Sequence, residues 1–360
     1  WYEYQVQWDP SATLPIDDQC PAFVVDGCSL NITPLEKALI PPPMFMKNVD
    51  MDFPINEICM CRGTNSIGSL ILQLSNGDIS FLRRREQLAT YDPQKITWKE
   101  TMGVDTRSLR SLLVVGGSQS QELILLAVAP SAPNAETEML VEISVEDLGG
   151  ALPVATVTNT TILENRVLRM VNWSDHGDGC LVQLVDGSFL EFEISPEGSS
   201  LQPSDAEPLL EPCPWICAVK DSSPYAGPHH SDHSRMVFGL STKFRLYFHD
   251  MLLTDSASSL FLSISHEFLC YATSGSRCSL RFLPLKEINS FDPLMGMDQN
   301  HLLDGYEPRS VERGARIVAI LPKQPMAVLQ MPRGNLEGVY PRALVLRFVM
   351  LQISQGQYGE

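Results

Sequence analysis

Residues 180–194 read Cys180-Leu-Val-Gln-Leu-Val-Asp186-Gly187-Ser-Phe-Leu-Glu-Phe-Glu-Ile194. A second stretch has the same grammar: Leu70, Leu72 and Leu74 lead into Asn76-Gly77, and Ile79 and Phe81 follow. Asn-Gly and Asp-Gly reverse the chain because both central positions of a type I′ turn need positive φ. Beyond the second turn Leu190, Phe192 and Ile194 alternate with Glu191, Glu193 and Ser195, the period of a strand with one buried face. The unit is a β-hairpin, and it recurs.

Working outward, Tyr2, Tyr4, Val6 and Trp8 alternate with Glu3, Gln5 and Gln7, which places a strand at the terminus. Further turns are read at Asp26-Gly27, at Pro130 to Asn134 before Val141, Ile143 and Val145, and at Thr242-Lys243 before Phe244, Leu246 and Phe248. Gly275-Ser276 and Arg333-Gly334-Asn335 complete the series. With Gly27, Gly77, Asn134, Gly187, Lys243, Gly275 and Gly334 as markers the spacing averages about 51 residues, near the period of a four-stranded propeller blade. The expected fold is therefore all-β, a WD40-like β-propeller of about seven blades. Propellers commonly close by pairing a terminal strand into the blade at the other end. Trp1 to Trp8 would complete the blade that holds Ile317 to Leu321, Ala327 to Met331 and Leu336 to Tyr340. Residues 1–346 then form one propeller and 347–360 an unassigned tail. Ser199 to Pro214 and Ser222 to Ser234 read as exposed connections. Thr33-Pro34-Leu35-Glu36 fits a helical capping box, although its flanks are strand-like.

The chain has 360 residues, 44% of them hydrophobic and 19% charged, which is enough apolar surface to exclude wholesale disorder. Its 26 basic against 43 acidic residues leave a net charge of -17, a field that repels phosphate and disfavours a general nucleic-acid binder. The imbalance is uneven: residues 1–60 hold nine acids and two bases, residues 305–360 four acids and seven bases. The longest apolar run, Leu123 to Ala129, is far below the roughly 20 residues of a membrane span. Nine cysteines at irregular spacing give no disulfide framework, and the expectation is a reducing, cytoplasmic setting with the nucleus as a second compartment. Sequons at Asn31, Asn159 and Asn172 matter only in the secretory pathway. The chain opens at Trp1 without an initiator methionine or signal pattern, and reads as a piece of something longer.

Catalytic signatures are sparse. Cys59-Met-Cys61 and Cys213-Pro-Trp-Ile-Cys217 lack partner pairs at zinc-site spacing, and read as small buried hydrophobes. His229, His230 and His233 form the most ligand-like cluster, set in a polar loop. Gly116-Gly-Ser118-Gln-Ser120 lacks the second glycine of a nucleophile elbow, and no phosphate-cradling glycine loop occurs. No cofactor or metal is expected and no enzyme activity. Arg83-Arg84-Arg85 is the candidate contact site: guanidinium forks could clasp a partner's carboxylates or an RNA phosphate, or the run could be a solvated strand end.

Val311-Glu-Arg-Gly-Ala-Arg-Ile-Val-Ala-Ile-Leu-Pro322, Gln330-Met-Pro-Arg-Gly-Asn-Leu-Glu337 and Tyr340-Pro-Arg-Ala-Leu-Val-Leu346 closely resemble the end of the second propeller in the family of Elongator complex subunit 1. Val25-Asp-Gly27, Ile40-Pro-Pro-Pro-Met44, Leu181 to Gly187 and Gly239-Leu-Ser-Thr-Lys-Phe-Arg-Leu246 agree in order. The resemblance implies a strand over Ser29 to Ile40. It implies a non-catalytic scaffold in a complex that modifies the 5 position of wobble uridines in tRNA. The radical-SAM and acetyltransferase chemistry lies in another subunit, which becomes an expected partner together with a preceding propeller, a following helical solenoid and the remaining subunits. tRNA would be touched indirectly or weakly, and a membrane not at all. The alternative is a propeller that binds tRNA directly through local basic patches. In the family the Arg-Ala-Leu-Val-Leu string leads into an amphipathic helix that opens a helical-repeat solenoid, a pattern that Arg347 to Tyr358 lacks.

Overall fold

In the computed structural model of the chain, residues 20–354 are described except 41–43, 62–67, 86–89, 117–121, 133–136, 149–151, 174–178, 196, 221–234, 263–267, 286–307 and 322. Trp1 to Trp8, the expected closing strand, Asn134, and His229, His230 and His233 lie outside the described residues. Within them the chain folds as antiparallel meanders, five of four strands with a three-stranded one at each end. The first meander holds β1 (Pro21–Asp26), β2 (Ser29–Pro34) and β3 (Lys47–Asp50). The second holds β4 (Ile55–Met60), β5 (Leu70–Leu74), β6 (Ile79–Arg84) and β7 (Tyr91–Glu100), and the third β8 (Arg110–Gly116), β9 (Leu123–Pro130), β10 (Glu138–Glu146) and β11 (Val154–Ile162). Next come β12 (Val167–Asn172), β13 (Gly179–Leu184), β14 (Phe189–Ser195) and β15 (Gly198–Pro203). The fifth meander is β16 (Trp215–Lys220), β17 (Arg235–Leu240), β18 (Leu246–Phe248) and β19 (Met251–Thr254). The sixth is β20 (Ala257–Leu262), β21 (Phe268–Thr273), β22 (Ser279–Pro284) and β23 (Arg309–Ser310), and the last β24 (Arg316–Ile320), β25 (Ala327–Gln330) and β26 (Leu336–Val339). The second and third meanders merge into one sheet because their outer strands, β7 and β11, pair in parallel.

An apolar cluster fills the seam between each meander and the next. The second strands are buried on both faces, so they feed two seams at once. β13 sends Cys180, Val182 and Leu184 towards the third meander and Leu181 towards the fifth. β21 divides Phe268, Cys270 and Ala272 from Leu269 and Tyr271 in the same way. The first and last meanders also meet: Cys20, Ala22 and Leu35 of the first share a cluster with Val318, Leu321, Met326 and Val328 of the last. There Glu36 accepts the Lys323 N–H at 3.0 Å and the Gln324 side-chain amide at 2.8 Å.

Three expectations need correction. Ser199 to Pro203 is no connection, since it supplies most of the outer strand β15, paired to β14 from Leu190↔Pro203 to Ser195↔Gly198. An edge strand exposed on both faces leaves no apolar alternation in the sequence to read. Second, the strand implied over Ser29 to Ile40 stops at Pro34, whose carbonyl accepts the N–H groups of Lys37 and Ala38 in a single turn. Third, the segment from Arg347 is helical, part of α1 (Arg342–Ser354). Pro341 stands just before the helix, where a missing N–H costs nothing, and Ala343 and Leu344 insert into the seam of the last two meanders. Leu346, Val349, Met350 and Ile353 remain exposed, so apolar residues on two sides of the helix erase the amphipathic period.

Candidate interaction surface

The first strands of consecutive meanders run parallel in register, as their cross-links show. Glu57 accepts the N–H groups of Ser111 (2.8 Å) and Leu112 (2.6 Å), and the Cys59 sulfur accepts that of Val114 at 2.9 Å. Arg110 donates to the Val167 carbonyl and Asn172 to that of Val114. Ser258 donates to the Ala315 carbonyl, and the Ser259 hydroxyl accepts the Ile317 N–H. All these strands therefore begin at one face of the array. Antiparallel order puts the turns between second and third strands on that same face.

Four of those turns share one hydrogen-bond pattern. The Leu74 N–H donates to Asp78 and that of Gly77 back to Leu74; Leu184, Ser188 and Gly187 repeat this, as do Met331, Asn335 and Gly334. The three glycines have φ of 87°, 90° and 86°. In the fifth meander Ser241, Arg245 and Phe244 make the same bonds, with Phe244 at φ 64°. Phe244, read from the sequence as a strand residue, thus occupies the left-handed turn position. A side chain is disfavoured there because its Cβ crowds the backbone.

The turns seat on the connections between meanders. A Cβ on Gly187 would lie 2.9 Å from the Leu209 carbonyl, and Asn165 bonds Asp186 at 2.7 Å. In the connection before β16, Glu211 takes the Tyr247 hydroxyl at 2.9 Å and the Lys243 ammonium at 3.1 Å. The Ser241 hydroxyl, then Lys243 and Tyr247, outweigh burial and bring the Glu211 carboxyl down to about 2. Around this clamp Val185, Leu210, Trp215 and Phe244 stand exposed. Sequence reasoning missed the patch, though one signal was present: the fifth turn carries no glycine where three others have one.

Arg83, Arg84 and Arg85 sit at the opposite face, at the end of β6. The structure does not gather them. Arg83 donates to the Leu148 carbonyl of the third meander, while Arg85 pairs with Asp92 of the neighbouring strand. Strand alternation turns Arg84 to the other side. Elsewhere Glu138, which burial alone would raise, is held below the ordinary carboxylate range by Arg110, the Val167 N–H and Arg166. Burial, with Glu211 nearby, pushes the Cys213 thiol up to about 12. All nine cysteines are free, and among the described residues no group of three or more His, Cys, Asp or Glu side chains is placed to hold a metal ion. No helix among them is long and apolar enough to cross a membrane.

Residues 24–318 match the family model described as the ELP1 N-terminal second beta-propeller. The chain belongs to this family. Elongator complex protein 1 of Oryctolagus cuniculus is 23% identical over 96% of the chain and 27% of its own length. That of Saccharomyces cerevisiae is 25% identical over 100% and 25%. The chain spans about a quarter of the length of these curated relatives. The Drosophila melanogaster protein is 48% identical over 50 residues, 14% of the chain and 4% of the relative. Among solved structures, Chaetomium thermophilum Raptor aligns at TM-score 0.49 and 10% identity over 91% of the chain and 28% of its own. The beta-propeller domain of Cps50 (Swd1) aligns at 0.44 and 8% over 93% and 95%. The ELP1 family model thus covers the second to sixth meanders in full, the first from Val24 onward and the first three residues of β24, and the fold is an all-β propeller.

Proposed function

We propose that this chain is a non-catalytic scaffold propeller of the Elongator complex, holding other subunits, the radical-SAM/acetyltransferase subunit among them, in place for wobble-uridine modification of tRNA in the cytoplasm. The family match over residues 24–318 carries the reading. The interior supports it: buried side chains are spent on apolar seams, and the cross-seam carboxylates, Glu36, Glu57 and Glu138, are already engaged by backbone or side-chain donors. As part of the same proposal, the two three-stranded meanders count as blades, giving seven, and Trp1 to Trp8 adds the missing outer strand beside β26. Removing residues 20–354 from a full-length Elongator complex protein 1 should release other subunits on purification and abolish modification. A complete complex with normal wobble-uridine modification would overturn the reading. Direct tRNA contact is the alternative, supported by exposed Arg309, Arg313, Arg316 and Arg333 on the last two meanders. A salt-sensitive gel shift with the isolated chain distinguishes it.

A further inference from the structure

We propose that the patch of Val185, Leu210, Trp215 and Phe244 is a docking site for a polypeptide segment of another protein, one in which a bulky apolar side chain is flanked by lysine or arginine. The inference rests on the scaffold reading and gives it a place and a partner chemistry.

Phe244 carries the inference. The turn makes the same two backbone hydrogen bonds as the turns at Gly77, Gly187 and Gly334, so the fold needs no side chain at this position. The phenylalanine is nonetheless there, at φ 64° and 52% exposed. Its carbonyl accepts the Ala257 N–H at 2.8 Å, a duty that glycine would perform equally. A bulky residue kept in a strained conformation with its ring in water contributes little to folding, and strain of this kind concentrates where a ligand is clamped.

The neighbours make it a surface and not a lone ring. Val185 lies two residues before Gly187, where an added Cβ would meet the Leu209 carbonyl, and Leu210 follows. Glu211 then grips Lys243, next to Phe244, and Trp215 pairs with Leu240 at the root of the same turn. Leu210 is 65% exposed, Trp215 and Val185 each 42%. The Glu211 clamp fixes connection and turn together, so the anchors are ordered before a partner arrives.

Charge selects the occupant. Glu164, Asp186, Asp205 and Glu207 are exposed on the fourth-meander side of the patch. Hydrogen bonds from the Ser188 hydroxyl and N–H keep Asp186 below its ordinary range. Of the bases at the rim, Lys243 is neutralised by Glu211 and Arg166 leans on Glu138, which leaves Arg245. With a net charge of -17 behind it, this rim repels phosphate, whether of RNA or of an anionic membrane, and attracts lysine and arginine.

The test is selection of a displayed pool of random peptides on the wild-type chain, with depletion on Phe244→Gly, followed by fluorescence anisotropy of the labelled survivors. Survivors should carry Trp, Phe or Leu between Lys or Arg, and Phe244→Gly should weaken them by at least about tenfold. Its melting midpoint should be no lower than wild type, because glycine suits the turn, which separates lost contact from lost fold. Met102→Gly is the control: Met102 is also exposed at positive φ but belongs to another connection, and binding should persist. Survivors that bind Phe244→Gly equally well, survivors rich in Asp or Glu, or no survivors would each overturn the proposal. So would binding of tRNA to the wild type that Phe244→Gly abolishes. Subunit co-purification is a separate measurement, so the docking site and the scaffold reading fall independently.

Discussion

The seam between the second and third meanders and the seam between the last and the first do the same job with very different means. At the former, twenty of the described residues' side chains form one buried cluster, and the outer strands pair in parallel from Val154↔Thr97 to Thr156↔Glu100. Glu57 and Cys59 bind backbone N–H groups across it, and the Gln73 amide reaches the Leu109 carbonyl at 2.6 Å. At the latter, among the described residues, nine smaller contributors pack together and one carboxylate, Glu36, spans the gap. Neighbouring meanders are joined by short connections, so their contact costs little chain entropy. The last and first are separated by nearly the whole chain, and their contact must offset a much larger loop. Among the described residues, the better-tied of the two seams is the one that is easier to tie.

Breaking the strong seam should have the largest effect. Ile143 is fully buried there, and Ile143→Ala should cost about 2–5 kcal/mol in urea unfolding through lost burial plus the cavity left behind. Glu57→Ala comes next: it strands the N–H groups of Ser111 and Leu112, at about 1–3 kcal/mol. Hydrogen exchange should show β4 and β8 opening while β24 and β25 stay protected. Glu36→Ala should cost only about 1 kcal/mol, since its bonds are partly exposed, and the melting curve should broaden as the terminal meanders loosen first. A cost as large as that of Ile143→Ala would invert the ranking of the seams.

A pH dependence is expected away from both seams. Glu211 is depressed to about 2 in the folded chain against an ordinary 4.5. Its stabilising contribution is complete above the ordinary value and is lost as pH falls from about 4.5 towards 2. Glu211→Gln should therefore melt below wild type at pH 6, and the two curves should converge as pH approaches 2. A gap that persists at low pH would show that packing, not charge, holds the connection to the turn.

The hairpins at Asn76-Gly77 and Asp186-Gly187 were legible because turn chemistry and alternation are both local. The strands that feed two seams were harder, since burial on both faces removes alternation: Leu123 to Ala129 showed only an apolar run, yet it is the core of β9. α1 was hidden for a related reason, its exposed stripe of Leu346, Val349, Met350 and Ile353 filling the side where polar residues would mark a helix. The candidate site was legible in composition but not in geometry. Three consecutive arginines are easily seen, whereas the carbonyl that engages Arg83 lies 65 residues away. At Phe244 the sequence pattern suggested a strand, and only the repeated hydrogen bonds place it in the turn.

Val328 is buried in the seam shared by the last and first meanders, on a strand some three hundred residues from β1. Native-state hydrogen exchange of Val328→Ala, resolved by peptide, asks whether those two ends of the chain are one cooperative body. A ring predicts faster exchange in β1 and β2 as well as in β24 to β26. Loss confined to the last meander and its sixth neighbour, with β1 and β2 exchanging as in wild type, would contradict it.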